Sequence, residues 1–139
     1  MFRHVGIVVN DIEKQLLFYR DLLGLEVLYH EIESGRFLET ILSISEVKID
    51  IYKLGIKGST IVELLYYLDK DNESKDKHIN DNGITHFAIT ISDLDNVYNS
   101  LKSYGVQFLS PPQVNSSKTH QVCFCRDFEN NLIELVQEL

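Results

Sequence analysis

The stretch His4–Asp11, HVGIVVND, decides the fold because it recurs in outline as His86–Asp93, HFAITISD. In both copies a histidine opens an apolar run that an aspartate ends. A helical pattern follows each aspartate and stops at a glycine, Gly24 in the first copy and Gly105 in the second. Self-similarity on this scale indicates that one supersecondary unit is present twice in the chain.

Each copy predicts the order strand, helix, strand, strand, strand. Asp11 and Asp93 are suited to cap the helices, since a carboxylate accepts hydrogen bonds from free backbone N–H groups. The later strands are expected at 25–30, 47–54 and 60–68 and at 106–109, 119–126 and 131–137. The sequence therefore predicts an α+β fold of two tandem βαβββ modules.

The module boundaries follow from composition. We assign residues 1–68 to the first module and 84–139 to the second, together forming one domain. Residues 69–83 are rich in Asp, Lys, Asn and Ser and are interpreted as the linker. Residues 34–43 are additional in the first copy and are expected to form a short helix or an irregular flap.

The composition narrows the possible partners. The 139 residues are 44% hydrophobic and 24% charged, which is typical of a globular protein, and the net charge is −8. An acidic chain is a poor fit for nucleic acid or for an anionic membrane, so we expect neither partner. No targeting or membrane-spanning segment is recognised, and we predict a cytoplasmic protein. Cys123 and Cys125 are expected to point to opposite faces of a strand and to form no disulfide.

Four residues stand out as metal-ligand candidates: His4, Glu63, His86 and Glu134. His4 shares a strand face with Gly6, and His86 shares one with Ala88, so small residues leave room in front of each strand. Glu63 and Glu134 each interrupt an apolar strand, where burying a carboxylate is costly unless it is paired or bound to metal.

The same two residue types recur at equivalent places, which independent structural roles would rarely produce. Two imidazoles and two carboxylates suit a divalent ion such as Ni, Co, Zn, Mn or Fe. Such an ion can polarise a carbonyl, while a carboxylate shuttles a proton. The remaining histidines, His30, His78 and His120, are weaker candidates for metal ligands, although His120 could line the cleft in front of the metal.

At these residues the sequence resembles the vicinal oxygen chelate superfamily, which contains glyoxalases, bleomycin-resistance proteins and extradiol dioxygenases. The resemblance rests on the segments 4–7, 18–25, 62–64, 85–88 and 126–135. It implies a curved, barrel-like mixed sheet around the metal, and a homodimer. The His-Glu-His-Glu set is similar to that of glyoxalase I and methylmalonyl-CoA epimerase.

The resemblance implies a metal-dependent lyase or isomerase that transfers a proton on a small carbonyl or thioester substrate. By analogy the base is Glu134 or Glu63, a choice that the sequence leaves open. An arginine and an asparagine that help hold glutathione in glyoxalase I are Val8 and Tyr67 here, which weighs against a glutathione thioester. The alternatives are a methylmalonyl-CoA epimerase-like isomerase, an extradiol-type dioxygenase, and a non-catalytic binding protein of the bleomycin-resistance type.

Overall fold

The computed structural model describes residues 2–69, 73 and 75–139. The chain divides into two compact units, residues 1–74 and 75–139. This division falls inside the predicted linker 69–83, of which residues 70–72 and 74 lie outside the described residues.

The N-terminal unit forms one four-stranded mixed sheet. Its strand order is β1-β4-β3-β2, with β1 parallel to β4 and the other neighbours antiparallel. The first helix continues into a π-helical segment, in which the Leu23 N–H donates to the Phe18 carbonyl. The elements are β1 Val5–Val9, α1 Ile12–Leu16 with the π-helical segment Leu17–Leu22, β2 Glu26–Ser34, α2 Arg36–Leu42, β3 Lys48–Ile56 and β4 Ser59–Tyr67.

The C-terminal unit repeats this topology. Its strand order is β5-β8-β7-β6, and β5 is again parallel to the last strand of its unit. The elements are β5 His86–Thr90, α3 Leu94–Ser103, β6 Gln113–Val114, β7 His120–Arg126 and β8 Leu132–Glu138. The predicted α+β class with two tandem βαβββ modules is confirmed. The strands form two curved sheets, and neither closes into a barrel within the described part of the chain.

The predicted helix boundaries are confirmed in both units. The Asp11 carboxylate accepts from the Lys14 N–H at 3.1 Å, and the Asp93 carboxylate accepts from the Asn96 N–H at the same distance. Gly24 and Gly105 follow the helices with φ of 75° and 83°, the left-handed region in which a glycine is least strained. The segment expected as a short helix or flap is helical, as α2.

One predicted strand is wrong. Residues 106–109 make only an isolated bridge between Phe108 and Cys125, and the strand beside β7 is instead β6. Pro111 and Pro112 lie between these two places. Proline has no N–H to donate to a ladder, so continuous pairing from 106 onward is interrupted there.

The prediction for the cysteines is also wrong in one respect. Cys123 and Cys125 lie on the same face of β7, because side chains two residues apart in a strand point the same way. Both are buried and free, opposite Leu135 and Ile133 of β8. Burial raises the pKa of Cys123 to about 11 and raises that of Cys125 further.

The core lies on one face of each sheet. Residues that lie two positions apart in the central strands are buried there beneath the helices, among them Val62 and Leu64 on β4 and Ile133 and Leu135 on β8. In the N-terminal unit the opposite face is partly covered too, because Leu38 of α2 packs against Ile49 and Ile51. The remainder of that face carries Glu63. No described helix is long and apolar enough to cross a membrane.

Candidate metal centre

The first His–Glu pair lies where β1 runs parallel to β4. Gly6 is directly opposite Glu63, and His4 precedes β1 by one residue. The His4 Nε2 is 3.1 Å from the Glu63 Oε2, and the two side chains are 32% and 14% exposed. A Cβ on Gly6 would come 3.6 Å from Leu65 Cδ1, an ordinary contact. The missing side chain at residue 6 therefore leaves room beside the pair.

Lys53 completes the surroundings of Glu63. It is directly opposite Glu63 in the β3–β4 register, and its Nζ is 3.5 Å from the Glu63 Oε1. The same ammonium lies 4.6 Å from the centre of the Tyr29 ring, within the range of a cation–π interaction. The two oxygens of Glu63 thus face different partners, since Oε2 faces His4 and Oε1 faces Lys53.

Tyr29 is itself fixed on β2. Its hydroxyl lies 2.8 Å from the Glu33 carboxylate and 3.2 Å from that of Glu31. The hydrogen bond to Glu33 raises the pKa of Tyr29, with desolvation and Glu31 adding to the rise, so the phenol stays protonated. The Tyr29 ring is therefore fixed at its hydroxyl end while its face contacts the ammonium of Lys53.

The second His–Glu pair occupies the equivalent place in the other unit. Ala88 of β5 is directly opposite Glu134 of β8. The His86 Nε2 is 3.7 Å from the Glu134 Oε2, with side chains 36% and 26% exposed. The His86 Nδ1 lies 2.9 Å from the Thr85 hydroxyl, which leaves Nε2 as the nitrogen that faces the carboxylate.

Phe124 takes the position that Lys53 takes in the first unit. It is directly opposite Glu134 in the β7–β8 register. Its ring meets the His86 ring edge to face, with centroids 5.1 Å apart and an interplanar angle of 85°. The second pair therefore has an aromatic neighbour where the first has a cation.

The donor chemistry of each unit fits a divalent metal ion. Each provides one imidazole nitrogen aimed at one carboxylate oxygen, a combination that borderline divalent ions accept. Within the described residues, His, Cys, Asp and Glu side chains form no group of three or more that could hold a metal. The structure thus brings His4 to Glu63 and His86 to Glu134, and the joining of the two pairs in one centre stays a prediction.

The other histidines have partners of their own. His30 stacks on Tyr52 at 3.8 Å and its Nε2 lies 2.7 Å from Asp50. His78 lies 3.5 Å from Asp81 in an exposed turn. His120 is on the same face of β7 as Phe124 but at the start of the strand, with its Nδ1 2.9 Å from the Thr119 hydroxyl.

Lys53 is the residue that sequence reasoning missed. The signal for it was the β3–β4 hairpin, whose turn at Lys57 and Gly58 brings residue 53 across from the glutamate strand. A bulge at Leu54 and Gly55 shifts the register by one residue, and only after that shift does Lys53 pair with Glu63.

The two positions that bear on glutathione differ from each other. Val8 is 46% exposed on the Glu63 face of β1, opposite Leu65. Tyr67 instead packs against the apolar cluster under α2. Neither side chain offers a charge to a peptide substrate.

Comparison with known proteins identifies the family. The model of the Glyoxalase/Bleomycin resistance protein/Dioxygenase superfamily matches residues 2–135. The chain is 27% identical to a lactoylglutathione lyase of Schizosaccharomyces pombe over 97% of its length. It spans about half of that relative, 46%. It is 25% identical to a probable lactoylglutathione lyase of a Synechocystis species, over 96% of the chain and 92% of the relative.

The fold is shared with solved structures as well. A glyoxalase family protein from Bacillus cereus superimposes with a TM-score of 0.88 at 20% identity, over 99% of this chain and 93% of that one. The family match covers both His–Glu pairs and both βαβββ modules. The chain therefore belongs to the Glyoxalase/Bleomycin resistance protein/Dioxygenase superfamily.

Proposed function

We propose that this protein is a metal-dependent lyase or isomerase that transfers a proton on a small carbonyl or thioester substrate. The observation that carries the proposal is the repetition of one His–Glu pair at one sheet position in both units. Two relatives, at 27% and 25% identity, are named lactoylglutathione lyase and probable lactoylglutathione lyase, and these names support a lyase of the glyoxalase type.

The proposed metal ligands are His4, Glu63, His86 and Glu134, and the ion is Ni, Co, Zn, Mn or Fe. A divalent ion bound by these residues would supply Lewis-acid polarisation of the substrate carbonyl. With four protein ligands, a six-coordinate ion would keep two positions for the vicinal oxygens of the substrate. The homodimer and the cytoplasmic location stay predictions.

Glu134 is the better candidate for the base. Glu63 is 14% exposed and its two oxygens face His4 and Lys53, so the position of that carboxylate is held. Glu134 is 26% exposed, lies farther from its histidine at 3.7 Å, and has Phe124, which offers no hydrogen bond, across the ladder. A carboxylate with fewer constraints is better able to take and return a proton.

Metal stoichiometry tests the proposal. Purified protein, stripped with chelator and titrated with Ni²⁺ or Co²⁺, is expected to bind one ion per chain by calorimetry. His4→Ala and His86→Ala should each abolish tight binding. His78→Ala removes an exposed histidine outside both pairs and serves as the matched control, with binding unchanged. If the wild type binds none of the five metals when each is titrated in turn, the proposal is overturned.

The substrate is proposed to lack glutathione. Val8 and Tyr67 provide no charge or amide for the peptide, in contrast to the expectation for a glutathione-dependent relative. The metal-loaded protein should therefore turn over the glutathione hemithioacetal of methylglyoxal poorly. Efficient turnover of that compound would remove this part of the proposal while leaving the metal chemistry intact.

A further inference from the structure

We infer that Lys53 is a specificity-determining residue that selects a substrate whose carboxylate provides one of the two oxygens that chelate the metal and turns its other oxygen toward Lys53. The substrate class is then a 2-hydroxy or 2-oxo carboxylate. This inference rests on the proposed function, because it assigns a substrate class to the same site.

The position of Lys53 is set by the sheet. The residue is directly opposite Glu63, on the strand face that also carries Gly6 and, one residue before β1, His4. Its side chain is 33% exposed, so the ammonium is open to a ligand although it is 3.5 Å from the partly buried carboxylate of Glu63. The Tyr29 ring supports it from the other side at 4.6 Å.

Charge balance then decides what the site prefers. Without metal, the positive charge of Lys53 offsets the negative charge of Glu63. A divalent ion would be balanced by its two proposed carboxylate ligands, Glu63 and Glu134, and this would leave the positive charge of Lys53 in excess at the metal centre. Bound ions dominate the electrostatics of a site, so the excess favours an anionic ligand over a neutral one of the same shape.

The nearest other charges are those of Glu31 and Glu33 on the same sheet face, which weaken this preference without occupying the ammonium. Both carboxylates contact the hydroxyl of Tyr29, whereas the ammonium of Lys53 lies over the ring of that residue. No ion pair other than that with Glu63 involves Lys53 among the described residues. The equivalent residue of the C-terminal unit, Phe124, has no charge. The selectivity for an anion is therefore a property of the N-terminal unit.

The test uses two probes of equal shape, glycolate and its neutral amide, glycolamide. Both can chelate through a hydroxyl and a carbonyl-type oxygen, and only glycolate has a second anionic oxygen for Lys53. Calorimetry on the Ni²⁺-loaded protein should show that Lys53→Met weakens glycolate binding about tenfold, as expected for loss of one charge-assisted hydrogen bond. Binding of glycolamide should change by less than about twofold, within the variation of distant surface changes.

The variants separate charge from structure. Lys53→Arg should retain the preference for glycolate, and Lys53→Gln should lose it as Lys53→Met does. Lys102→Met is the matched control, since Lys102 also lies over a tyrosine ring, that of Tyr98, with no metal-ligand candidate beside it. This control should leave both affinities unchanged.

The outcomes distinguish the two proposals. If the wild type binds no metal, the proposed function fails and the inference falls with it. If metal binding is normal but Lys53→Met weakens both probes equally, or neither, the inference alone is overturned. A selective loss of glycolate binding with unchanged metal stoichiometry supports both.

Discussion

The two halves of the molecule hold the same pair of residues in different surroundings. In the N-terminal unit His4 and Glu63 are 3.1 Å apart and Lys53 faces the carboxylate. In the C-terminal unit His86 and Glu134 are 3.7 Å apart and Phe124 takes the place of the lysine. The Glu63 carboxylate has a polar partner at each oxygen, whereas the Glu134 carboxylate has one at a longer distance. One repeated fold therefore holds the same carboxylate position closely in one unit and more openly in the other.

The largest effect is expected from the shared core, where the halves should behave alike. Leu64 and Leu135 are both fully buried and each follows its glutamate by one residue. Replacing either by alanine removes buried methyl groups and leaves a cavity, so Leu64→Ala and Leu135→Ala should each cost about 2–5 kcal/mol of unfolding free energy. Urea denaturation measures both. A cost below about 1 kcal/mol in only one of the two variants would show that the cores of the two sheets are not equivalent.

A smaller effect should separate the halves at the turns that precede the glutamate strands. The β3–β4 turn is a short hairpin at Lys57 and Gly58. The β7–β8 turn is instead organised by the buried Asp127, whose Oδ1 accepts from the backbone N–H of Glu129 and of Asn131 at 2.9 Å. Asn130 in this turn has a φ of 66°, in the left-handed region that asparagine tolerates better than most residues.

Replacing Asp127 should therefore destabilise the protein. Asp127→Ala leaves the part-buried N–H groups of Glu129 and Asn131 without this acceptor, at an expected cost of about 2–3 kcal/mol. The measurement is again urea denaturation, with Asp81→Ala as the control, because Asp81 also accepts a backbone N–H in a turn but is exposed. Equal costs for the two substitutions would show that the turn before β8 is not held by Asp127.

The smallest effects are expected at the helix caps. Asp11→Ala and Asp93→Ala should each cost about 1 kcal/mol, the usual value for loss of an N-cap acceptor. The hydrogen bonds from Lys14 lower the pKa of Asp11, that from its side chain most and that from its backbone next. A lowered pKa means that the folded state favours the ionised form, so the contribution of Asp11 is present above the unfolded value of about 3.9 and is lost as pH falls below it.

Thermal melting between pH 3 and pH 7 checks the sign. The difference in melting temperature between wild type and Asp11→Ala should be full at neutral pH and should shrink as the pH falls below about 4. A difference that grows on acidification would contradict the capping role.

Much of the fold was predictable because local and tertiary signals agree. The repeated histidine, aspartate cap and terminal glycine fix the start and end of the first helix in each copy, and alternation in β4 and β8 fixes which face is buried. The apolar residues at 106–109 alone did not show that this segment makes only one bridge and that the strand begins later, because Pro111 and Pro112 decide where pairing can begin. The shared face of Cys123 and Cys125 was predictable, because it follows from the two-residue period of a strand.

In the candidate site, the histidines and glutamates that lie together in each unit were predictable from the sequence, but their neighbours were not. Histidine and glutamate stand out because they interrupt apolar strands at equivalent places. Lys53 does not stand out in that way, and its partner depends on a bulge that moves the β3–β4 register by one residue. A register shift arises from the packing of the whole hairpin, so no local motif announces it.

X-ray absorption spectroscopy of the Ni²⁺-loaded protein counts the imidazole ligands of the bound ion. We propose that both His–Glu pairs bind one shared ion. The spectrum of the wild type should contain two imidazole ligands per nickel, and any nickel forced onto His4→Ala or His86→Ala at high concentration should retain one. Two imidazoles per nickel in either variant, or two nickel ions per wild-type chain with one imidazole each, would contradict a single centre built from both halves.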